Sequence, residues 1–292
     1  MLRDVGCVVV HHRNYPGVLT TLDAILEGGV PAEQVVLVDN SEDPKLAAVL
    51  QEEIPAGIRL LTQANLGYGH AANTGIHVLQ SDPLRPKYIL ISTHETIPES
   101  DAISTMVQTL RVTGADVVGP TLIDRECRGG RAWSTGGELS RFLNIPFHTR
   151  LELGAESYLW NPVERAWLDG AFCLYSADAL ESFAFSEQYF LYFEEVDLQI
   201  RIRRAGGKVM WVPSARVTQT SSGTPAYYLT RNMCIFQSYH GNAAQRALAP
   251  PYSLLRLALG AIVRDKRTAL IPDAWRGLRD GRRLAKRFGK RG

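Results

Sequence analysis

The chain contains 292 residues, of which 45% are hydrophobic and 21% are charged, with 25 glycines and 15 prolines. These proportions are those of an ordinary globular protein, and they exclude disordered, collagen-like and low-complexity chains. The formal net charge is +2, but residues 264–292 hold eleven basic and three acidic side chains, so the rest of the chain is mildly acidic. That balance is not typical of a dedicated nucleic-acid binder, whose basic residues spread over a binding face.

Apolar runs alternate with helix-like segments along the first half of the chain. The predicted strands are rich in Val, Ile and Leu and cover 5–11, 34–39, 58–63, 88–92 and 116–119. The predicted helices between them cover 18–27, 44–53, 69–79 and 100–113, and a helix over 195–204 precedes a strand over 208–212. This alternation predicts βαβ units and a mostly parallel sheet, in which ligands bind at the carboxyl ends of the strands.

Two observations bear on the compartment. The four cysteines are far apart and form no Cys-x-x-Cys pair, which argues against a zinc ribbon or a disulfide framework: they are Cys7, Cys127, Cys173 and Cys234. The N-terminus has no signal-peptide pattern, and the longest apolar run, 252–263, is interrupted by Arg256 and is too short to span a bilayer. We therefore expect a cytoplasmic protein, either free or peripheral at the inner face of the membrane.

Asp39, Asn40 and Ser41 come directly after the predicted strand 34–39. A carboxylate at the end of a buried strand is costly unless it is paired or faces a ligand. Asp39 at this position could accept the ring N–H of a uracil or thymine base. The alternative is that Asp39 only begins a turn with its two polar neighbours.

Residues 67–72, Gly-Tyr-Gly-His-Ala-Ala, fit the dinucleotide pattern G-x-G-x-x-A. The match is weak, because the acidic residue expected about 20 positions later is missing and two βα units precede the motif. The sequence has no G-x-x-x-x-G-K-[ST] loop, which excludes a P-loop NTPase.

Three carboxylates lie beside aromatic and apolar residues within 189–198, namely Glu194, Glu195 and Asp197. Burial and like-charge proximity raise the pKa of such acids, so that one of them could serve as a general base. The alternative is that Glu194 and Glu195 simply open the following helix, where the helix dipole favours acids.

Taken together, these motifs resemble those of the family 2 glycosyltransferases, nucleotide-sugar-dependent enzymes with the GT-A fold, especially the bacterial rhamnosyltransferase-like branch. Residues 36–41 are similar to the family's strand that ends in a base-binding aspartate, and 65–69 with 73–75 to its Asn-x-Gly elements. Residues 167–171 resemble the stretch near the donor sugar and acceptor. Residues 192–198, with Arg201 and Gly206, resemble the acidic signature whose second acid is the catalytic base, and 277–281 resemble its usual tail.

The resemblance implies a catalytic domain over 1–240 with a mostly parallel central sheet flanked by helices, followed by a basic helical extension over 241–292. Its nucleotide-binding half would end near residue 120, and 121–240 would bind the acceptor. The implied reaction is an inverting hexosyl transfer from a dTDP- or UDP-sugar to a hydroxyl of a glycan, lipid-linked or natural-product acceptor. No nucleic-acid partner is expected.

The resemblance also implies roles for single residues, with Glu195 as the general base. The implied nucleotide-binding residues are His11, Asn14, Asp39, Asn65, Gly67, Tyr68 and Asn73. The implied diphosphate region is Thr93, His94 and Glu95, and the implied donor-sugar and acceptor residues are Trp167, Asp169, Gly170, Glu194 and Asp197. Aromatic side chains could stack on sugars or pack in the core: the candidates are Trp133, Trp160, Trp167, Tyr189 and Tyr192.

The sequence departs from the family at its metal site and at its base. The usual Asp-x-Asp motif reads Thr93-His94-Glu95, and a histidine expected after 213–217 appears as Gln219. Mg²⁺ and Mn²⁺ prefer several hard oxygen ligands, so we expect a weak or absent metal requirement, with Glu95 as the residue that would hold a metal beside the diphosphate. Alternatively, a protonated His94 or a nearby arginine could neutralise the leaving group. Glu195 stands where aspartate is usual.

Two rival functions stay open, and so does the role of the tail. The altered metal motif could mark an inactive relative that binds nucleotide or glycan without turnover. A nucleotidyltransferase is disfavoured because residues 11–16 are not glycine-rich.

In the tail, four apolar residues recur at helical spacing among basic residues: Trp275, Leu278, Ala285 and Phe288. This spacing predicts an amphipathic helix over 272–292. Such a helix either anchors the protein to an anionic membrane or, as we favour, packs on the catalytic domain.

Overall fold

The computed structural model describes residues 1–124, 132–149, 161–220, 224–260 and 270–288. Its strands in chain order are β1 (Val5–His11), β2 (Val35–Asp39), β3 (Arg59–Thr62), β4 (Tyr88–Thr93), β5 (Ile97–Pro98), β6 (Val117–Asp124), β7 (Gly137–Leu139), β8 (Pro146–His148), β9 (Val163–Glu164), β10 (Phe172–Ser176) and β11 (Val209–Gln219). Within these described residues, β7 and β8 pair with each other and the other nine strands form one central sheet.

The central sheet is mostly parallel, as the alternation of elements predicted. Its spatial order is β3-β2-β1-β4-β10-β6-β11-β5, with β9 also paired to β11. Strands β1 to β4 run parallel, whereas β10 is antiparallel to both of its neighbours, β4 and β6. Because β10 runs the opposite way, the residues that precede it lie at the same edge of the sheet as the carboxyl ends of β1 and β4.

The helices cover both faces of the sheet. They are α1 (Gly17–Glu27), α2 (Pro44–Glu53), α3 (Tyr68–Gln80), α4 (Ala102–Thr113), α5 (Ala177–Ser182), α6 (Glu194–Arg204), α7 (Ala226–His240), α8 (Ala243–Gly260) and α9 (Leu270–Phe288). Strand residues point alternately to the two faces: Val9 packs with α1, α2 and α4, and Val8 packs with α3, α5 and α6. The sheet is therefore buried on both sides, which explains the near-continuous apolar runs in its strands.

All of the predicted helices and strands are present, but two strands are longer than predicted. β6 continues to Asp124, and β11 continues past Pro213 to Gln219 through a shift in register between Val212 and Arg216. That irregularity accommodates Pro213, which directly follows the predicted strand 208–212. Strand β10 was not predicted, and it joins β4 to β6, so the sheet is continuous across the predicted boundary near residue 120.

The three C-terminal helices pack together. Helix α9 contacts α7 and α8, and it buries Ala274 and Leu278 while Thr230 Oγ1 of α7 donates to Ala274 O at 2.7 Å. Residues 270–288 of the tail therefore pack on the rest of the protein, which is the arrangement that we favoured from the sequence. Trp275 does not belong to the packed face, because 60% of it is exposed.

Some predictions fall outside the described residues, namely those on Cys127, Trp160 and the side chain of Phe288. Cys7, Cys173 and Cys234 are buried free thiols. Across the described ranges, each helix is too short or too polar to cross a bilayer.

Candidate functional site

A cavity of about 470 Å³ opens at the edge of the sheet where β1, β2 and β4 end. The polypeptide that precedes β10 and the loop that precedes α6 complete its wall. The lining residues described are Val10, His11, His12, Asn40, Asn65, Gly67, Tyr68, Thr93, His94, Glu95, Trp133, Asp169, Gly170, Ala171, Phe190, Leu191, Tyr192, Glu194, Glu195, Gln219, Thr220 and Thr224. The cavity lies where an open α/β sheet binds its ligands.

Most of the residues implied by the resemblance meet in this cavity. Those that line it are His11, Asn65, Gly67, Tyr68, Thr93, His94, Glu95, Asp169, Gly170, Glu194 and Glu195. The five that do not are Asn14, Asp39, Asn73, Trp167 and Asp197. Of the aromatic candidates, Trp133 and Tyr192 line the cavity, whereas Tyr189 and Trp167 are buried elsewhere.

Four carboxyl groups in the cavity wall, Glu95, Asp169, Glu194 and Glu195, have raised pKa values, with burial as the largest cause. Burial raises the pKa of Asp169 to about 7, assisted by the charge of Glu95 and opposed by a hydrogen bond from Ala171 N. Burial also raises the pKa of Glu194 to about 7. The pKa of Glu195 lies well above its usual value because of burial and of the neighbouring charges of Glu194 and Asp169. Such a cluster can accept and hold a proton near neutral pH.

Glu195 packs directly against Gly170. A Cβ atom added to Gly170 would lie 3.0 Å from the Cβ of Glu195, so a side chain at position 170 would push the glutamate away. The carbonyl of Gly170 accepts a hydrogen bond from the hydroxyl of Tyr68 at 2.8 Å, which holds this backbone in place from helix α3.

The loop 188–193, just before Glu194, has an uncommon backbone. Phe190, Tyr192 and Phe193 have φ angles of 67°, 68° and 77°, a conformation that non-glycine residues rarely adopt. Gly67, with a φ of 106°, closes against it: the backbone of Phe190 fills the space that a Cβ at position 67 would need, and Tyr68 N donates to Phe190 O at 2.7 Å.

Helix α7 holds the same loop from the other side. The Arg231 guanidinium donates to the carbonyls of residues 188 and 189, and the Asn232 amide donates to those of 191 and 192, all at 2.7–2.9 Å. With the bond from Tyr68 N, every carbonyl from 188 to 192 accepts a hydrogen bond from outside the loop. These contacts compensate for the strained backbone and fix the start of α6, which carries Glu194 and Glu195.

Asp39 is buried behind the cavity wall and contacts His11. Its Oδ1 accepts from His11 Nδ1 at 2.8 Å, from Ser41 N at 3.0 Å and from Ser41 Oγ. Burial opposes ionisation of Asp39, but these hydrogen bonds outweigh it and lower the pKa. The other nitrogen of His11, Nε2, accepts from Asn14 N at 3.0 Å, so His11 carries its proton on Nδ1.

The other residues outside the cavity support the structure around it. The Asn14 amide donates to His94 O at 3.0 Å, and the Asn73 amide bonds both the N and the O of Phe185. Trp167 is buried and donates to Glu138 O at 3.3 Å. Their implied contacts with ligand stay predictions.

Asp197 also lies away from the cavity, in a buried ion-pair cluster. It accepts from His240 Nε2 at 2.7 Å and from Arg201 Nε at 2.9 Å. Burial opposes ionisation of Asp197, yet the contact with His240 and the charge of Arg201 lower its pKa. This cluster ties α6 to the end of α7.

His94 does not supply the positive charge that the sequence analysis considered for it. Burial lowers its pKa to about 4, the nearby imidazoles of His11 and His12 lower it further, and a hydrogen bond to Val10 O only partly offsets them. His94 is therefore neutral at physiological pH.

The residues available for a metal form a weak oxygen-donor set. No group of three or more His, Cys, Asp or Glu side chains in the described ranges is arranged to hold a metal ion. However, two buried atoms of cavity-lining residues, Thr93 Oγ1 and Gln219 Oε1, have no hydrogen-bond partner among the described residues, and burial raises the pKa of Glu95. A cation could bind here only with further oxygens from a ligand or water.

The sequence analysis missed several residues that build this site. Asn40, Phe190 and Leu191 line the cavity, and Arg231 and Asn232 hold its loop from behind. Asn40 could have been assigned to the site from the sequence, because it directly follows a predicted strand. Arg231 and Asn232 gave none, because their partners are backbone carbonyls about 40 residues away.

Comparisons with known proteins also indicate a family 2 glycosyltransferase. The sequence profile described as "Glycosyltransferase like family 2" matches residues 3–233. The chain is 27% identical over 203 residues to an N-acetylglucosaminyl-diphospho-decaprenol L-rhamnosyltransferase of Mycobacterium tuberculosis. That match covers 63% of this chain and 65% of the relative, which is less than two thirds of the relative's length.

Two solved structures show the same fold. The crystal structure of GalNAc-T7 with UDP, GalNAc and Mn²⁺ is similar with a TM-score of 0.61 and 14% identity, covering 92% of this chain and 54% of that one. S. aureus TarS 1-349 in complex with UDP-GlcNAc is similar with a TM-score of 0.53 and 12% identity, covering 99% and 92%. At these identities the likeness establishes the GT-A fold alone.

Proposed function

Since the chain belongs to glycosyltransferase-like family 2, we propose that it transfers a hexose from a dTDP- or UDP-sugar to an acceptor hydroxyl with inversion of configuration. The observation that carries this proposal is the cavity at the carboxyl edge of the sheet, whose wall holds Glu195 beside Glu194 and Asp169. The UDP-GlcNAc in the TarS structure and the UDP and GalNAc in the GalNAc-T7 structure support a nucleoside-diphosphate sugar as donor.

Glu195 is the proposed general base. It takes the proton of the acceptor hydroxyl while that oxygen forms a bond to the anomeric carbon. The bond from the anomeric carbon to the phosphate oxygen breaks on the opposite face, and the diphosphate leaves with the electron pair. The raised pKa of Glu195 suits a base that must hold the proton it accepts.

The nucleotide would bind along β1 and the loop after β3. His11, Asn65, Gly67 and Tyr68 line that part of the cavity. The predicted contact of Asp39 with the base stays a prediction. The hydrogen bond that Asp39 accepts from His11 supports an indirect contribution to nucleotide binding. Most of the rate enhancement would come from holding donor and acceptor in line.

A divalent cation would be held by Glu95 together with oxygens of the diphosphate. Its chemistry would be to neutralise the charge that develops on the leaving group. The wall around it is acidic, since Asp169, Glu194 and Glu195 all line the cavity, so a cation would also ease the approach of a diphosphate.

The acceptor is proposed to be lipid-linked. The similar Mycobacterium protein is named for an acceptor that carries a sugar on diphospho-decaprenol. A cytoplasmic location at the membrane surface would bring such an acceptor to the cavity.

The test compares Glu195→Gln with Glu194→Gln and with Glu52→Gln, which changes an exposed residue of α2. Glu195→Gln should lower kcat by about 10²-fold or more with donor affinity nearly unchanged, and Glu52→Gln should change neither. The anomeric configuration of the product, read by NMR, tests inversion.

A Glu195→Gln enzyme that keeps most of its turnover would refute the assignment. Donor binding without turnover by the unaltered protein, across a panel of UDP-, dTDP- and GDP-sugars in a thermal-shift assay, would favour the inactive relative instead.

A further inference from the structure

Helix α8 carries an exposed stripe of large apolar side chains. Leu248, Tyr252, Leu255 and Leu259 are 56%, 47%, 56% and 53% exposed. Their spacing of four, three and four residues places them on one side of the helix, over about 16 Å of its length. The buried residues of α8 lie around the rest of its circumference: Ala249, Pro250 and Ser253. Helix α8 therefore has one apolar side packed on the protein and a second that faces out.

Basic residues are present on α8 and on the helix that it contacts. Helix α8 contains Arg246 and Arg256 and has no acidic residue. Helix α9, which contacts α8, has two acidic residues and six exposed basic ones, namely Arg276, Arg279, Arg282, Arg283, Lys286 and Arg287. Single exposed leucines are ordinary on protein surfaces. A periodic apolar stripe, on a helix without acidic residues that contacts a strongly basic helix, is instead the pattern of a helix that lies on a membrane surface.

We propose that the stripe of α8 and the basic residues of α9 bind the surface of an anionic bilayer. The leucines and Tyr252 would enter the interface between headgroups and acyl chains, and the arginines would pair with anionic headgroups. The inference rests on the proposed lipid-linked acceptor, because that acceptor is confined to the bilayer.

Helix α7 connects the proposed membrane-binding surface of α8 to the cavity. Helix α8 packs on α7, and α7 holds the cavity loop 188–193 through Arg231 and Asn232. Binding at α8 would therefore hold the cavity at a fixed distance from the bilayer that contains the acceptor.

Co-sedimentation with vesicles tests the proposal with the full-length chain. The probe is vesicles of equal parts phosphatidylglycerol and phosphatidylcholine, compared with phosphatidylcholine alone. The unaltered protein should sediment with the anionic vesicles and be released as salt rises. Leu248→Ser/Leu255→Ser/Leu259→Ser should lower the partition coefficient roughly tenfold or more, because three apolar side chains are lost from the interface.

The matched control is Leu84→Ser/Val112→Ser. Both residues are exposed, at 65% and 78%, and neither belongs to α7, α8 or α9. This variant should partition like the unaltered protein. A second variant, Arg282→Gln/Arg283→Gln, leaves the stripe intact and should weaken binding to the anionic vesicles while leaving the weak binding to phosphatidylcholine unchanged.

Several outcomes would overturn the proposal. The unaltered protein could stay in the supernatant, or the stripe variant could bind as tightly as the control. A dimer in sedimentation velocity that the stripe variant disperses would show that a second copy of the chain covers α8 instead. If the triple variant lost its cooperative thermal unfolding, Arg282→Gln/Arg283→Gln would decide, and unchanged anionic binding by it would count against the proposal.

Failure of this inference can be told apart from failure of the proposed function. The vesicle assay contains neither donor nor acceptor, and transfer can be assayed on a water-soluble acceptor without lipid. Vesicle binding without any transfer would refute the proposed function alone. Transfer without vesicle binding would overturn only the proposed binding of α8 and α9 to a membrane.

Discussion

The side-chain amide of Asn232 donates to the backbone carbonyl of Tyr192 at 2.8 Å, which joins helix α7 to the loop that precedes Glu195. The same amide donates to Leu191 O at 2.8 Å, and Asn232 is fully buried. The strained backbone at Tyr192 and the neighbouring carbonyl of Leu191 therefore depend on one side chain that does not line the cavity. We regard Asn232 as a positioning residue for the acids at the start of α6.

Asn232→Ala should lower kcat by about 10- to 100-fold, because a small displacement of a reacting group is enough to cost that much. Affinity for the free nucleoside diphosphate should change little, since Asn232 does not line the cavity. Steady-state kinetics and calorimetry separate the two effects. The control is Asn242→Ala, which removes a cap at the start of α8. Equal losses of kcat and of nucleotide affinity would point to general damage of the fold.

The second prediction concerns the pH dependence of catalysis. Asp169 is one of the charges that raise the pKa of Glu195, so Asp169→Asn should lower that pKa. Because Glu195 must be deprotonated to act as a base, the acidic limb of the kcat–pH profile should move to lower pH. The asparagine oxygen can still accept from Ala171 N, which preserves the local backbone. Asp178→Asn, on the exposed side of α5, should leave the profile in place.

The third prediction is that the ligand-free protein loses stability as pH rises from about 4 to about 7. Burial raises the pKa of Asp169 from its ordinary value of 3.8 to about 7, so over this range the folded state binds more protons than the unfolded state. The stabilisation is complete below pH 4 and is lost through pH 7, on the order of a few kcal/mol for this group. Thermal unfolding measured from pH 4 to pH 7 should show a smaller fall in Tm for Asp169→Asn than for the unaltered protein.

The fourth prediction tests Asp39. Asp39→Ala removes the acceptor that holds His11 and Ser41, so affinity for UDP or dTDP should fall by about tenfold. Asp23→Ala, an exposed change on α1, is the matched control for calorimetry. Unchanged affinity would show that Asp39 only shapes the turn after β2.

The fifth prediction concerns metal dependence. With one carboxylate and two neutral oxygens near the diphosphate position, activity in excess EDTA should fall but persist above about a tenth of its initial value. Any stimulation by Mn²⁺ should disappear in Glu95→Gln. Complete loss on chelation, with rescue by Mn²⁺ or Mg²⁺, would contradict the expected weak requirement.

Much of the fold could be predicted from the sequence because its strands are buried on both faces. Val8 and Val9 point to opposite cores, so the run 5–11 is apolar throughout and was readily identified. Strand β10 was missed because periodicity alone gives no sign of its pairing with β4 and β6. The acids of α6 were predicted as a group, but their contacts differ. Asp197 neutralises Arg201 and contacts His240, whereas Glu194 and Glu195 face the cavity.

The antiparallel strand β10 has a consequence for synthesis of the chain. Strands β4 and β6 are both complete by residue 124, yet the strand that joins them is not made until residue 176. While the nascent chain leaves the ribosome, both strands present unpaired edges that can pair with other chains. A fragment ending at residue 124 should therefore aggregate when expressed alone, and expression yield should depend on how quickly translation proceeds from residue 124 to residue 176.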